Sequence, residues 1–524
     1  MNADAKLNLT PGKGVNPALA ARYEGRTACV IGSGFGGLAL AIRLQSAGIA
    51  TTVIESRDKP GGRAYFWEKP TEDGVFTFDA GPTVITDPPC LEELWQLTGH
   101  DIAEDVELMK VMPFYRLNWP DGTNFDYSND EASLNAEIAK LNPADVAGYA
   151  RFLEYSERVY REGYLKLGTK PFLDFKSMLK AAPALIKEQA WRSVYGMVAS
   201  YVENEKLREA LSFHTLLVGG NPMNTSSIYA LIHKLEKDGG VWWARGGTNR
   251  LIAGMVRHFE RLGGTIRIGD PVVQVHTLGT RATEVETKSG LRQRFDAVAS
   301  NADIMHSYKD LLSGSERGRQ MAKSLNRKSF SPSLFVVHFG LEGTWPGIPH
   351  HMILFAKRYK GLLDDIYKNG VVPEDFAIYL HHPTVTDPSM APAGKSTFYA
   401  LVPVSHMGKM PLDWDEVAPR LEKMILDELE RRLIPDIHSR IVTKFSYAPK
   451  DFKADLNAHM GSAFSLEPVL WQSAWLRGHN RDDVIENYYL VGAGTHPGAG
   501  IPGVVGSAKA TAGLMLEDLA RVGV

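Results

Sequence analysis

The residues best placed for chemistry lie close together near the start of the chain. Gly32, Gly34 and Gly37 fall at G-x-G-x-x-G spacing within Gly32-Ser33-Gly34-Phe35-Gly36-Gly37, and the acid Glu55 and the base Arg63 follow. Gly32 permits a tight turn, Gly34 lets a pyrophosphate approach the backbone without meeting a Cβ, and Gly37 lets a helix pack close to a strand. A helix N-terminus adds free N–H groups and a positive dipole end. Glu55 is spaced to accept hydrogen bonds from a ribose diol, and a guanidinium at Arg63 can grip two phosphate oxygens.

Such a loop works only between the right elements, and the flanking sequence predicts them. Thr27–Ile31 is a short apolar, partly β-branched run that reads as a buried parallel strand, a small-residue helix is expected from Leu38 to Ala47, and a second strand, Thr51–Ile54, ends on Glu55. A lone G-x-G-x-x-G is weak evidence; strand, helix, second strand and terminal acid together predict dinucleotide binding. The motif does not separate NAD from FAD, but the residues after it favour FAD. Asp58-Lys59-Pro60-Gly61-Gly62-Arg63 brings a flexible turn and an arginine directly after the ribose acid. Far downstream, a last strand, Tyr488 to Gly494, runs into Thr495–Val505, a glycine-rich loop feeding a helix expected from Gly506 to Leu519. A flavin needs a second anion-stabilising spot for its N1/O2 edge, whereas a nicotinamide does not. His496 beside Pro497 reads as a structural turn residue.

With 524 residues the chain exceeds one ordinary core, so several domains are expected. A net charge of −3 argues against a general nucleic-acid binder. Cys29 and Cys90 are the two cysteines, which excludes a disulfide scaffold and fits a reducing cytosol, with Cys29 a small buried hydrophobe. Residues 1–26 are polar, lack a secretory signal and read as a flexible tail. Asn487–Ala508 is an uncharged run of spanning length, but its glycines and prolines between Gly492 and Gly506 exclude a lipid-exposed helix.

The expected fold class is α/β. It comprises a Rossmann-like FAD-binding fold of the glutathione-reductase/amine-oxidase type, a mixed-sheet substrate domain and a helical membrane-facing subdomain. The FAD-binding part is discontinuous, over 27–90, 240–310 and 480–524; the substrate part covers 91–160 and 311–479; the helical part covers 161–239. From Tyr164 to Tyr195, Lys166, Lys170, Lys176, Lys180, Lys187 and Arg192 stand against the acids Asp174 and Glu188 and are interleaved with apolar and aromatic residues. Such a stretch fits a lipid interface or a solvated helix pair on the core. Trp242 and Trp243, between glycine pairs, fit the wall of a pocket for a long apolar ligand, or core packing.

The segments VIGSGFGGLALAIRLQSAGI, RDKPGGRA, FTFDAGPTVITDP, LLVGGNP, ASNAD and YYLVGAGTHPGAGIPGVVGSAKATAGLMLEDL resemble those of bacterial phytoene desaturases of the lycopene-forming type, as do GYLKLGTKPF and QAWRSVY. The resemblance runs from about Thr27 to Leu519; the N-terminal tail and the stretch Lys69–Gly74 depart from the pattern. It implies an FAD enzyme that converts 15-cis-phytoene to lycopene by successive removal of hydrogen pairs, with hydride passing to flavin N5 and a quinone or oxygen as final acceptor. It implies peripheral attachment to the cytoplasmic face of the cell membrane, because a C40 polyene dissolves in the bilayer. The cofactor contacts expected are Gly32, Ser33, Gly34, Phe35, Gly36, Gly37, Glu55, Ser56, Gly62, Arg63, Gly81, Pro82, Thr83, Val273, Asn301, Gly494, Gly500, Ile501, Pro502 and Val505, with Trp242 and Trp243 on the substrate. No metal cluster or catalytic triad is expected, since the flavin carries the chemistry, and the weak acceptor that the released proton needs is assigned to no residue. A flavin-dependent carotenoid cis–trans isomerase and a prenyl-binding module without redox activity are the alternatives on the same fold.

Overall fold

A computed structural model describes residues 21–521. The strands β1 (Thr27–Ile31), β2 (Ala50–Ile54), β3 (Thr265–Arg267), β4 (Ala297–Ser300) and β5 (Tyr488–Leu490) form one parallel sheet in the order β5-β4-β1-β2-β3. Its strands come from three widely separated stretches of chain, so the sheet closes only when the C-terminus returns to β4. Helix α1 (Phe35–Ser46) follows the glycine loop and packs against α2 (Ile501–Arg521). Both helices are rich in Gly and Ala on their buried faces, and only small residues allow so close an approach. Adding a Cβ at Gly37 would place it 2.1 Å from the Gly32 carbonyl oxygen. The last helix begins at Ile501, five residues before its expected start, because Pro502 sits in the first turn, where its missing N–H costs nothing.

A second, mixed sheet is built from the strands 441–447, 333–342, 395–404, 378–381, 351–354, 115–118 and 124–127, in that spatial order. All its pairings are antiparallel except that of 351–354 with 115–118. Residues 160–239 hold helices and turns, with no strand among them. Among the described residues no helix is long and apolar enough to cross a membrane.

Two expectations change here. Of the tail expected over residues 1–26, the first twenty residues lie outside the described region. Tyr23, however, is buried, and its hydroxyl donates to the Leu516 carbonyl at 3.0 Å, so the chain is packed from there on. Trp242 and Trp243 belong to a short strand, Trp242–Ala244, paired with Leu108–Lys110. The Trp243 indole is fully buried and donates to Asp387 at 3.3 Å, while the Trp242 indole donates to the Gly239 carbonyl at 2.6 Å. Neither lines the large cavity described below. Trp243 is a core residue and Trp242 is partly buried against the core, a correction to the expected substrate wall.

Candidate active site

One continuous cavity of about 550 Å³ runs from the glycine-rich loop to an apolar chamber under the helices of residues 160–239. At its polar end the turn after β1 places Gly32 at φ +97°, in the left-handed region that favours glycine. Glu55 is buried and braced: its Oε2 accepts from the Ser33 N–H at 2.8 Å and the Ser33 hydroxyl at 2.6 Å, while Oε1 accepts from the Arg57 N–H at 2.9 Å and the Ser56 hydroxyl at 3.1 Å. These bonds fill the carboxylate's roughly four lone-pair sites, so a ribose diol binds by taking the place of a rotatable hydroxyl donor, Ser33 or Ser56, at a group the backbone N–H donors still hold. Asn301, at the end of β4, donates to the Val491 carbonyl at 3.0 Å and packs beneath Gly34 and Gly36.

Arg63 lies in the cavity wall, its Nε sealed from water with no hydrogen-bond partner. Burial lowers its pKa, and the nearby Asp303 carboxylate opposes that shift; burial pushes the Asp303 carboxyl up. A cavity-lining guanidinium whose buried Nε lacks a partner, beside a glycine cradle and a helix N-terminus, is a donor set that a pyrophosphate completes. The residues present therefore fit a dinucleotide, whose phosphates would share the guanidinium with the nearby Asp303 carboxylate.

The expected cofactor residues divide by position. Gly32, Ser33, Gly34, Phe35, Gly36, Glu55, Ser56, Gly62, Arg63, Gly81, Pro82, Thr83, Asn301, Gly494, Gly500, Ile501 and Pro502 all line this cavity. Gly37 stands behind it as the helix–strand spacer, and Val505 points into the core against α1 and its neighbours. Val273 does not reach the cavity: it is 45% exposed, and its neighbour Val272 lines the wall instead. Strand alternation explains the error, since a one-residue offset reverses the face a side chain occupies.

His496 lines the cavity, and its Nε2 bonds the Leu167 carbonyl at 2.7 Å, tying the C-terminal loop to the helical region. Burial lowers its pKa to about 4, leaving a neutral ring in a structural role. Gly81 abuts the Arg63 carbonyl, and two residues later the Thr83 hydroxyl bonds the hydroxyls of Tyr379 at 2.9 Å and Tyr399 at 2.7 Å. This turn therefore joins the polar end to the apolar chamber. Leu167, Phe172, Leu217, Ile228, Leu401 and Phe464 are among the apolar groups that line the chamber.

Sequence reasoning missed the polar groups in and behind the wall of that chamber. His351 Nδ1 bonds Tyr379 Oη at 2.7 Å, and the ligand atoms of His350, His351 and His381 come within 4.8 Å of one another. Burial lowers the pKa of all three rings, of His351 to about 3. His214 and Glu236 also line the cavity, 3.1 Å apart. They come from segments that no spacing rule connects.

The flavin-containing amine oxidoreductase family matches residues 35–516. The chain is 59% identical to a lycopene-forming phytoene desaturase from a Paracoccus species, over 94% of this chain and 98% of the relative. It is 56% identical to one from Pantoea ananas, over 94% and 99%. An oxidoreductase from Methanosarcina mazei shares the fold, with a TM-score of 0.60 at 17% identity, over 92% of this chain and 98% of that one. The chain thus belongs to the flavin-containing amine oxidoreductase family, among its phytoene desaturases, and the cofactor of its glycine-lined site is FAD.

Proposed function

We propose that this protein desaturates 15-cis-phytoene to lycopene by successive removal of hydrogen pairs. The observation that carries the reading is the single cavity: a dinucleotide cradle opens directly into an apolar chamber. A C40 hydrocarbon has nothing to ionise, so only shape and apolar burial can hold it. When bound, FAD supplies the two-electron oxidation at each step. The chain binds the nucleotide through Glu55, Arg63 and the glycine turns, and it places the Gly81–Thr83 turn where the two parts meet. The chamber wall excludes water, and the buried polar groups around Thr83 fix that wall in one arrangement.

The substrate enters from lipid, and the enzyme sits peripherally on the cytoplasmic face of the membrane. Helix 175–187 supports this. Met178, Ala181 and Leu185 on one face line the chamber, while Leu179 and Ile186 on the other are more than half exposed, among the exposed Lys176, Lys180 and Lys187. Leu165 and Trp191 are exposed nearby in sequence. An apolar surface bearing lysines suits anionic headgroups. The electrons pass on to a quinone or oxygen. The full chain, loaded with FAD and mixed with phytoene in liposomes, should yield red products of lengthened conjugation. Recovery of phytoene alone from a flavin-loaded protein would refute the assignment.

A further inference from the structure

Three histidines meet on one face of the mixed sheet, and no step of the proposed reaction uses them. His351 and His381 stand directly opposite one another where strand 351–354 pairs with 378–381, so their side chains share a face. Their rings are nearly parallel, with centroids 5.5 Å apart. His350, just before the strand, brings its ring to 4.4 Å from His351 and 4.9 Å from His381. The His350 carbonyl accepts from the His382 N–H at 2.8 Å, so the backbone that carries the group is itself pinned. All three side chains are buried, and one ring nitrogen of each lies within 4.8 Å of the other two.

Their hydrogen bonds divide the nitrogens into two sets. His350 Nδ1 is bonded to the Thr386 hydroxyl at 2.7 Å, and His351 Nδ1 to the Tyr379 hydroxyl at 2.7 Å. His350 Nε2, His351 Nε2 and both nitrogens of His381 are sealed from water and have no partner. Buried polar atoms left in that state are costly, and a group of them in one place calls for a common ligand. An outer hydroxyl on Nδ1 fixes the plane and tautomer of a histidine whose Nε2 holds a metal. Burial keeps the three rings neutral, so each has a lone pair to give. A buried carboxylate stands one ring away: Asp387 accepts from Trp243 Nε1 at 3.3 Å, and the Trp243 ring lies 4.8 Å from His350 and 5.2 Å from His381.

We propose that His350, His351 and His381 bind a divalent metal cation of zinc's chemistry, which braces the sheet face behind the chamber wall. Three imidazoles without a thiolate suit zinc, which is redox-inert and leaves the flavin's chemistry alone. Zinc holds nitrogens at about 2.0–2.1 Å, and a tetrahedral site then sets them about 3.3 Å apart, so the rings close by up to about 1.5 Å on binding. The cation ties the segment before strand 351–354 to the end of 378–381. Through His351, Tyr379 and Thr83 it also steadies the turn between the two ends of the cavity. Among the described residues the other group of possible ligands, Asp427, Glu430 and His438, is partly or fully exposed, and His438 is already paired with Asp427 at 2.8 Å. That group serves as the control.

The test uses the FAD-loaded full chain, made with zinc in the medium and passed through gel filtration in EDTA. Metal content is read by mass spectrometry, and the metal's neighbours by X-ray absorption at the zinc edge. About one zinc per chain is expected, with three imidazoles at about 2.0–2.1 Å. His381→Gln is the gentlest ligand deletion, because neither nitrogen of His381 bonds the protein; it should abolish zinc retention. Thr386→Val takes only the hydroxyl from His350 Nδ1 and should weaken zinc about 10- to 100-fold in competition with a chelator. His438→Gln should retain zinc as the wild type does. Zinc-loaded wild type should melt later than protein from zinc-limited cells, a difference that His381→Gln removes. A wild type without stoichiometric zinc, fewer than three imidazoles around the metal, or zinc that survives His381→Gln overturns the proposal. Should His381→Gln fail to fold, the zinc content and imidazole count of the wild type decide. None of these outcomes touches the desaturase assignment, which is read from the carotenoid products.

Discussion

Gly34→Ala separates cofactor binding from folding more sharply than any other change at the glycine loop. Gly34 caps helix α1 at φ −69° and ψ 174°, an extended conformation open to any residue, so the alanine brings no backbone strain. The added Cβ would stand 2.9 Å from Asn301 Oδ1, with the next contact at 3.8 Å. Asn301 must give by a few tenths of an ångström, at the expense of its 3.0 Å bond to the Val491 carbonyl. That bond is worth about 1 kcal/mol, and this is the expected loss in the FAD-free chain. Gly34 also lines the cavity, where a pyrophosphate would have to approach its backbone. A loss of one or two phosphate hydrogen bonds, each about 1.5–3 kcal/mol for a charged acceptor, lowers FAD affinity about 10- to 10,000-fold. Gly37→Ala is the contrast: its Cβ would meet a backbone oxygen at 2.1 Å and should unfold the sheet–helix contact itself. The assay is FAD titration of flavin-free protein by fluorescence quenching, alongside thermal melts of the same flavin-free samples. Wild-type FAD affinity in Gly34→Ala, or a melt as damaged as that of Gly37→Ala, would refute the placement of the pyrophosphate.

Arg63→Met removes a guanidinium whose Nε has no protein partner, so FAD affinity should fall about 10- to 100-fold while the flavin-free chain melts no earlier than wild type; calorimetric FAD titration and melts check both halves. Burial raises the Asp79 carboxyl to about 7, so the folded state favours the protonated form, and the contribution present below the unfolded value of 3.8 is lost as pH rises towards 7. Asp79→Asn should therefore gain on the wild type between pH 4 and pH 8, by ~4 kcal/mol in full, as measured by urea unfolding across that range. Reversing the exposed Lys170, Lys176 and Lys180 to Glu should weaken co-sedimentation with anionic liposomes at low salt, by about 1 kcal/mol per lost cation and more from repulsion. Trp243→Phe should destabilise the protein by about 1–3 kcal/mol by taking the indole donor from Asp387, yet leave the mixture of carotenoid products unchanged.

How much of this was legible in the sequence depended on whether the residues lay close together in the chain. Gly32 to Arg63 spells out a strand, turn, helix, strand and acid within one local unit, and the local physics of turns and helix ends reads directly from such a run. The return of Tyr488–Gly506 was legible for the same reason, although the start of its helix was not, because a proline within a glycine-rich run reads as loop until its place in the first turn is known. Val273 was missed by one position, since alternation names two faces without saying which is inward. Trp242 and Trp243 misled because large aromatics beside glycines look alike in a pocket wall and in a core, and only their pairing with 108–110 decides. The His214–Glu236 pair of the cavity wall was invisible. Its members lie on separate elements, and each alone reads as an ordinary helix or strand residue.

The desaturase reading requires one cavity to couple a flavin to the oxidation of a membrane-dissolved hydrocarbon. Mass spectrometry of the carotenoids recovered from phytoene liposomes, after incubation with the FAD-loaded full chain, reads that coupling without intermediaries. Products that have lost hydrogen in pairs, accumulating as lycopene, are expected. Products of altered geometry but unchanged mass, formed by a protein that retains its FAD, would contradict it.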